Sequence, residues 1–168
     1  VMYVGSFSKT IAPGMSLGYM TAPQLILDRA MGVKSGRVSE FTAMAVEKYA
    51  RKYLDAHIEE INKIQRTKRD AMLSALGENF GTGAKWSDPD GGLYIWVKLK
   101  EGSDMAALNK RSVEEIDVGF HPGINYSPDG TSGKDHIRLC FGYNQPDEIT
   151  EGISRLANFL SKEGVLDS

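Results

Sequence analysis

Two hydroxyl groups and one amine lie within four residues near the start of the chain, in Ser6-Phe7-Ser8-Lys9. Hydroxyl groups hydrogen-bond phosphate oxygens, and a lysine amine serves as a nucleophile or a base. The segment follows an apolar run at residues 1–5, which is typical of a strand buried on both faces of a parallel sheet. Loops after such strands often carry ligand-binding groups in α/β enzymes. Because short Ser/Lys loops are also common on solvated surfaces, these residues alone leave both interpretations open.

A second chemical candidate is Arg138, which lies in the alternating run Asp135-His136-Ile137-Arg138-Leu139-Cys140-Phe141. A planar guanidinium pairs with a carboxylate through two parallel hydrogen bonds. An isolated arginine in a strand is more often a surface or ion-pair residue. Arg138 is therefore a candidate carboxylate-binding residue whose context must decide between the two.

The elements around the hydroxyl and lysine segment follow from turn signals and apolar spacing. Short strands at residues 1–5 and 17–20 flank a polar loop, and Pro23 opens a short helix that Gly32 and Gly36 end. A helix begins near Ser39, and its apolar stripe is expected to face a core. The members of that stripe are Phe41, Met44, Ala45, Tyr49 and Tyr53. Residues 55–77 form the longest helical pattern, with a charged, solvated outer face.

The second half of the chain predicts a small α+β lobe of about three strands with helices on one side. Strands are expected at 93–99, 117–121 and 136–141, and helices at 104–115 and after Pro146. In the last helix, Ile149, Ile153, Leu156 and Leu160 repeat at helical spacing. The polar, glycine-rich tract 77–92 indicates a boundary. We therefore predict an α/β protein divided into domains at 1–77 and 78–168.

Composition excludes several classes of protein. The chain has 168 residues and a mass of 18.5 kDa, with 41% hydrophobic and 25% charged residues, which is typical of a globular protein and not of a disordered one. The net charge of −2 argues against a nucleic-acid partner. The sequence has one cysteine, no apolar stretch long enough to span a membrane and no signal-peptide pattern. A cytoplasmic location without a membrane partner is the resulting expectation.

Other candidate sites fail a test of spacing. The three histidines, His57, His121 and His136, do not form a metal-ligand pattern, and Cys140 has no companion. We interpret the histidines as surface residues or as residues with local hydrogen bonds. The basic residues at 63–69 are accompanied by the acidic Glu59, Glu60 and Asp70, which favours a mixed, solvated helix face over a nucleic-acid surface. No metal site is predicted.

Residues 4–19, VGSFSKTIAPGMSLGY, resemble the lysine segment of class I/II aminotransferases, the fold-type I enzymes that use pyridoxal phosphate (PLP). The subgroup of kynurenine and 2-aminoadipate aminotransferases is the most similar. The resemblance implies that Lys9 forms the Schiff base with PLP and that Ser6 and Ser8 bind the PLP phosphate. The resemblance also implies the C-terminal portion of a fold-type I PLP-transferase, ending in an α+β small domain.

One departure from the family pattern lies at Ser16, where the family usually has an arginine that binds the phosphate. Serine keeps a hydrogen-bond donor but loses the charge and the paired geometry of a guanidinium. Ser16 is therefore retained as a cofactor-binding candidate. Weaker PLP binding, a specialised subfamily, or compensation by a basic residue outside this chain or on a partner subunit would each follow.

Three further segments carry the resemblance. The strand around Arg138 is similar to the family's Ile-Arg-Leu-x-Phe strand, whose arginine binds the substrate α-carboxylate. Residues 91–96, GGLYIW, and 121–126, HPGINY, are similar to a strand of the family's small domain and to a loop near its substrate. Tyr94 and Tyr126 are thus candidate walls of the substrate pocket, and Asn125 is a further candidate. For Trp96 we expect core packing.

The resemblance implies a PLP-dependent aminotransferase that acts on an L-amino acid and a 2-oxo acid as a homodimer. It covers only the C-terminal portion of a family member, and the chain begins with Val1, so we expect a longer parent protein. Groups that make PLP an electron sink are absent from the matched portion, so the isolated chain is expected to be a poor catalyst.

Two alternatives remain open. The same lysine motif occurs in transcription regulators that join a winged helix to an aminotransferase-like domain with PLP as effector. A PLP-dependent β-lyase or decarboxylase would also use this fold.

Overall fold

The structure is a computed structural model that describes residues 1–166, and it contains two units, Val1–Glu60 and a second that begins at Ile61. Both contain helices and strands, as the α/β prediction requires. The helices are α1 (Gln24–Val33), α2 (Glu40–Phe80), α3 (Met105–Ile116) and α4 (Pro146–Lys162). The strands are β1 (Tyr3–Ser6), β2 (Gly18–Thr21), β3 (Lys85–Trp86), β4 (Tyr94–Lys98), β5 (His121–Pro122) and β6 (His136–Cys140). Within residues 1–166, no helix has the length and apolarity needed to span a membrane.

In the first unit, β1 and β2 form an antiparallel pair in which Gly5 lies opposite Tyr19. Both predicted strands are present, but the expected burial of the first one is wrong for this chain, since Tyr3 and Val4 are exposed. The strand has one neighbour, β2, and no sheet layer covers its faces within the described residues. A strand with this apolar sequence needs such layers to be buried.

The predicted helical patterns after Ser39 and at 55–77 belong to one continuous 41-residue helix, α2. The apolar stripe at its start does not face a core in this chain: Phe41 is 83% exposed and Met44 is 63% exposed. Val46, on another face of α2, is buried. The helix was predicted correctly, but the burial of its stripe was not, because burial requires a second layer that helical periodicity does not supply.

The second unit contains a four-stranded antiparallel sheet in the order β3-β4-β6-β5. We expected about three strands, and the additional strand is the two-residue β3. The strand expected at 117–121 is wrong in extent, since β5 covers only His121–Pro122. Asp117 instead ends α3 in the left-handed conformation, with φ 53°, which stops a strand from beginning there.

The sheet has one buried face and one open face, as alternation along its strands requires. Ile95 and Val97 of β4 and Ile137 and Leu139 of β6 point into the core. The core also contains α2 and α4 side chains, namely Leu76, Phe80 and the predicted Ile149, Ile153, Leu156 and Leu160. The open face therefore presents the alternate residues of the central strands, and Arg138 is one of them.

Candidate functional site

The Ser6 and Ser8 side chains form a hydrogen-bonded pair at the end of β1. The Ser6 hydroxyl donates to Ser8 Oγ at 3.1 Å, and the Ser8 backbone N–H donates to Ser6 Oγ at 3.2 Å. Ser6 is exposed, whereas Ser8 is half-buried. Two adjacent hydroxyls at a strand end make up the kind of donor set that binds phosphate oxygens.

Lys9 lies in the turn that follows, and its side chain is exposed. The turn is closed by backbone bonds from the N–H groups of Ile11 and Ala12, both of which donate to the Phe7 carbonyl at 2.8 and 3.2 Å. The Phe7 N–H in turn donates to the Leu17 carbonyl at 2.9 Å. These bonds fix the main chain on both sides of Lys9, so that its amine extends from an ordered turn.

His57 of α2 holds the same turn from a distance of 47 residues in sequence. Its Nε2 lies 3.0 Å from the Thr10 carbonyl oxygen, which can only accept, so Nε2 carries the proton. The other ring nitrogen, Nδ1, lies 3.1 Å from the Tyr49 hydroxyl and accepts from it. The expectation of a surface residue or a local hydrogen bond was wrong for His57, which makes a long-range contact beside the candidate lysine.

Ser16 lies after the 3₁₀ turn Pro13–Met15, in the left-handed conformation with φ 45°. Its backbone N–H donates to the Pro13 carbonyl at 3.1 Å, and the residue is exposed. The Ser16 side chain thus extends from a strained backbone conformation just before β2. Its role toward a phosphate stays a prediction.

In the second unit, the guanidinium of Arg138 lies between two tyrosine rings. Its central carbon is 3.9 Å from the centroid of the Tyr94 ring and 4.1 Å from that of the Tyr126 ring. Tyr94 belongs to β4, and Tyr126 ends the 3₁₀ segment Gly123–Tyr126 before β6. The structure thus brings three of the four predicted substrate-binding residues together on the open face of the sheet.

The hydrogen-bond donors of the Arg138 guanidinium all lie in the plane of the group and point outward along its edges. Among residues 1–166, the buried Nε of Arg138 has no hydrogen-bond acceptor. An unmet buried donor is costly unless a ligand satisfies it. The geometry suits a planar carboxylate that approaches along the guanidinium edge.

Asn125, the fourth predicted substrate-binding residue, is exposed and directly precedes Tyr126. Trp96, for which core packing was expected, lies on the open face instead. Its ring contacts Tyr126 edge-on at 6.1 Å and stacks on His136 at 5.4 Å. The expectation was wrong because Trp96 alternates with the buried Ile95 and Val97. Applied to β4, strand alternation alone would have assigned Trp96 to the face of Tyr94.

No group of three histidine, cysteine or acidic side chains that could hold a metal ion occurs in the described part of the chain. The residues that could hold a cofactor are the hydroxyls of Ser6 and Ser8 and the amine of Lys9.

Comparison with known proteins found no matching family profile. The chain is 35% identical to aromatic-amino-acid aminotransferase 1 of Thermococcus litoralis, over 97% of this chain and 40% of that protein. The crystal structure of alpha-aminoadipate aminotransferase from Thermus thermophilus superposes with a TM-score of 0.90 at 28% identity, over 96% of this chain and 42% of that one. Kynurenine aminotransferase from Pyrococcus horikoshii superposes with a TM-score of 0.88 at 36% identity, over 97% and 41%.

The chain has the sequence and the fold of the C-terminal portion of a fold-type I aminotransferase. It spans about 40% of the length of the curated aminotransferases that it matches. Regulators match as well: the HTH-type transcriptional regulator YdfD of Bacillus subtilis is 26% identical over 96% of this chain and 34% of that protein.

The donor set at the end of β1 fits the cofactor of this aminotransferase family. The Thermus enzyme was solved with N-(5'-phosphopyridoxyl)-L-leucine, and the Pyrococcus enzyme was solved with PMP and kynurenine. In this chain, the neighbouring hydroxyls of Ser6 and Ser8 are able to donate hydrogen bonds to a phosphate group, and Lys9 supplies an accessible primary amine.

Proposed function

We propose that the complete protein is a PLP-dependent aminotransferase that transfers an amino group between an L-amino acid and a 2-oxo acid. In this proposal, residues 1–77 belong to the PLP-binding domain and residues 78–168 form the small domain. The single observation that supports it most is the Arg138 guanidinium, which lies 3.9 Å from the Tyr94 ring centroid and 4.1 Å from that of Tyr126, while its buried Nε has no acceptor among residues 1–166.

Four residues are proposed to hold the cofactor. The hydroxyls of Ser6, Ser8 and Ser16 would donate to its phosphate group, and the Lys9 amine would hold it by condensing with its aldehyde carbon, with loss of water. When bound, PLP would supply an electron sink that stabilises negative charge at the substrate Cα. Since Ser6 donates its hydroxyl proton to Ser8 Oγ, the Ser8 hydroxyl is free to donate to the phosphate, and Ser6 would have to release Ser8 to do the same.

Lys9 is also proposed to move a proton at the substrate Cα. Its amine, in the neutral form, would remove that proton, and the resulting ammonium group would give it back as the amino group is transferred. The closed turn around Lys9 limits the volume in which the amine moves. Positioned proton transfer of this kind contributes about 10²–10⁴-fold to a rate.

Arg138 is proposed to orient the substrate by binding its α-carboxylate along the guanidinium edge. The stacked tyrosines prevent rotation of the guanidinium plane, so the two hydrogen bonds point in a fixed direction. Fixing the carboxylate determines where the amine and the Cα proton lie. Asn125 and Tyr126 are proposed to line the same pocket.

A homodimer in the cytoplasm completes the proposal. The exposed apolar stripe of α2, which includes Phe41 and Met44, supports the homodimer, because such a stripe is normally covered by another protein surface.

A PLP-binding effector domain of a winged-helix regulator is the second candidate function, and the match to YdfD favours it. A lyase that uses the same residues is a further alternative.

Amino transfer by the complete protein tests the proposal. The donors are L-2-aminoadipate, L-kynurenine and L-tyrosine, the acceptor is 2-oxoglutarate, and the measured product is glutamate. Lys9→Ala should lower the rate by at least about 10²-fold, while the control Lys85→Ala, on an exposed strand residue, should leave it unchanged. Cofactor binding without glutamate formation from any donor would favour the regulator, and release of the α-amino group as ammonia would favour a lyase.

A further inference from the structure

The open face of the sheet carries a chain of contacts that begins outside the predicted site and ends at Arg138. His136 Nδ1 lies 2.6 Å from the Asp135 carboxylate, and the two side chains are only 21% and 17% exposed. A carboxylate accepts hydrogen bonds, so Nδ1 is the protonated nitrogen of the pair. This bond fixes the plane of the His136 ring.

The His136 ring is stacked on the indole of Trp96, with 5.4 Å between the centroids and 28° between the planes. Trp96 then meets Tyr126 edge-on at 6.1 Å with an angle of 77°. Tyr126 presents its face to the Arg138 guanidinium at 4.1 Å. Each ring is therefore oriented by the one before it, through contacts that depend on the angle between the planes.

The register of the strands explains why these side chains meet. Trp96 lies directly opposite Arg138 on the neighbouring strand, and Lys98 lies opposite His136. Lys98 also faces the pair, with its Nζ 3.9 Å from the Asp135 carboxylate. Directly opposed side chains on one face of an antiparallel pair are close enough to pack.

We propose that the His136 ring, stacked on Trp96, is a positioning group that holds Trp96 and Tyr126 in place and thereby fixes the plane of the Arg138 guanidinium. Only one part of this inference rests on the proposed function, namely that the Arg138 guanidinium binds a substrate carboxylate. The contacts themselves predict its orientation whatever its ligand is.

The test measures the rate at which the Arg138 Nε–H proton exchanges with water, by nitrogen-15 NMR. Because this donor is buried, its exchange in the wild-type protein should be slow. His136→Ala should speed that exchange by about tenfold or more, since the tyrosine on one face of the guanidinium loses its support. His136→Phe keeps a ring on Trp96 and should retain slow exchange within about threefold. The same variants should weaken binding of 2-oxoglutarate in parallel, by about tenfold for His136→Ala and by less than about threefold for His136→Phe.

Tyr143→Ala is the control for the loss of an aromatic side chain. The Tyr143 ring is 87% exposed and lies outside the contacts around Arg138. We expect less than about a twofold change in both measurements. The amides of Ile137 and Leu139 report whether the sheet itself stays folded.

Unchanged Nε–H exchange in His136→Ala, or a loss that His136→Phe does not rescue, would overturn the positioning role. If 2-oxoglutarate leaves the Arg138 signal of the wild-type protein unmoved, the carboxylate-binding part of the proposed function fails. The exchange rates still decide the positioning role in that case, so the two failures are distinguishable.

Discussion

His57 Nε2 lies 3.0 Å from the carbonyl oxygen of Thr10, the residue that follows Lys9. The bond joins α2 to the turn that carries the candidate lysine, and the Tyr49 hydroxyl orients the imidazole from the other side. A neutral imidazole satisfies both contacts, with Nε2 as donor and Nδ1 as acceptor. This arrangement makes the order of the Lys9 turn depend on a helix 47 residues away.

Replacing the His57 imidazole by an apolar ring should loosen the Lys9 turn without unfolding the chain. In His57→Phe, the Thr10 carbonyl loses its partner, and a hydrogen bond of this kind contributes about 1 kcal/mol. Amide hydrogen exchange in residues 9–12 should rise by about 3- to 10-fold, while exchange in β4 stays unchanged. An unaltered rate at residues 9–12 would show that the bond does not hold the turn.

A methyl group at Gly123 should disturb the segment that carries Tyr126. The Cβ would lie 2.6 Å from the Gly133 carbonyl oxygen and 2.7 Å from His136 Cβ, so the backbone must shift. Gly123→Ala should lower the free energy of unfolding by about 1–3 kcal/mol. Gly152→Ala, in the interior of α4 with no atom within 4 Å, should raise it by about 0.5–1 kcal/mol. If urea titrations show that both variants change the free energy of unfolding in the same direction, the close packing around Gly123 is contradicted.

The loop after Tyr126 depends on an ionised carboxylate. The Ser127 hydroxyl, the N–H groups of Ser132 and Thr131 and the Ser132 hydroxyl donate to Asp129, and they hold the pKa of its carboxyl well below its ordinary value of 3.8. A lowered pKa stabilises the folded state above the ordinary value, and this contribution is lost as the pH falls through 3.8 toward the lowered pKa.

Asp129→Asn should therefore be less stable than the wild type at pH 7, and the difference between their urea midpoints should shrink as the pH falls below about 4. The matched control is Asp55→Asn on the exposed side of α2. This variant removes one exposed carboxylate and gives the baseline against which the Asp129→Asn difference is compared. A constant difference for Asp129→Asn would show that these hydrogen bonds do not depend on the charge.

Local patterns predicted the elements around Arg138. The four-residue spacing of Ile149 and Ile153 predicted a helix whose apolar side is buried, and the apolar run at residues 93–99 predicted the strand β4. The burial of the helix was predictable because its spacing is repeated over enough residues to determine one face. The family resemblance directed attention to Tyr94, Tyr126 and Arg138, and the structure brings these side chains into contact.

Features that depend on distant residues could not be predicted in this way. The contact of His57 with Thr10 joins positions that no local pattern relates, and the stacking of His136 on Trp96 requires the register of two strands. The stripe that contains Phe41 was expected to be buried, but periodicity states which side of a helix is apolar and not what covers it.

Borohydride trapping of PLP on the complete protein, followed by peptide mapping, shows which residue holds the cofactor. We expect the reduced cofactor to be attached selectively to Lys9, and we expect Lys9→Ala to abolish this label while Lys85→Ala, at an exposed lysine, retains it. Labelling spread over many lysines, or labelling that persists unchanged in Lys9→Ala, would contradict the assignment of Lys9 as the residue that holds the cofactor.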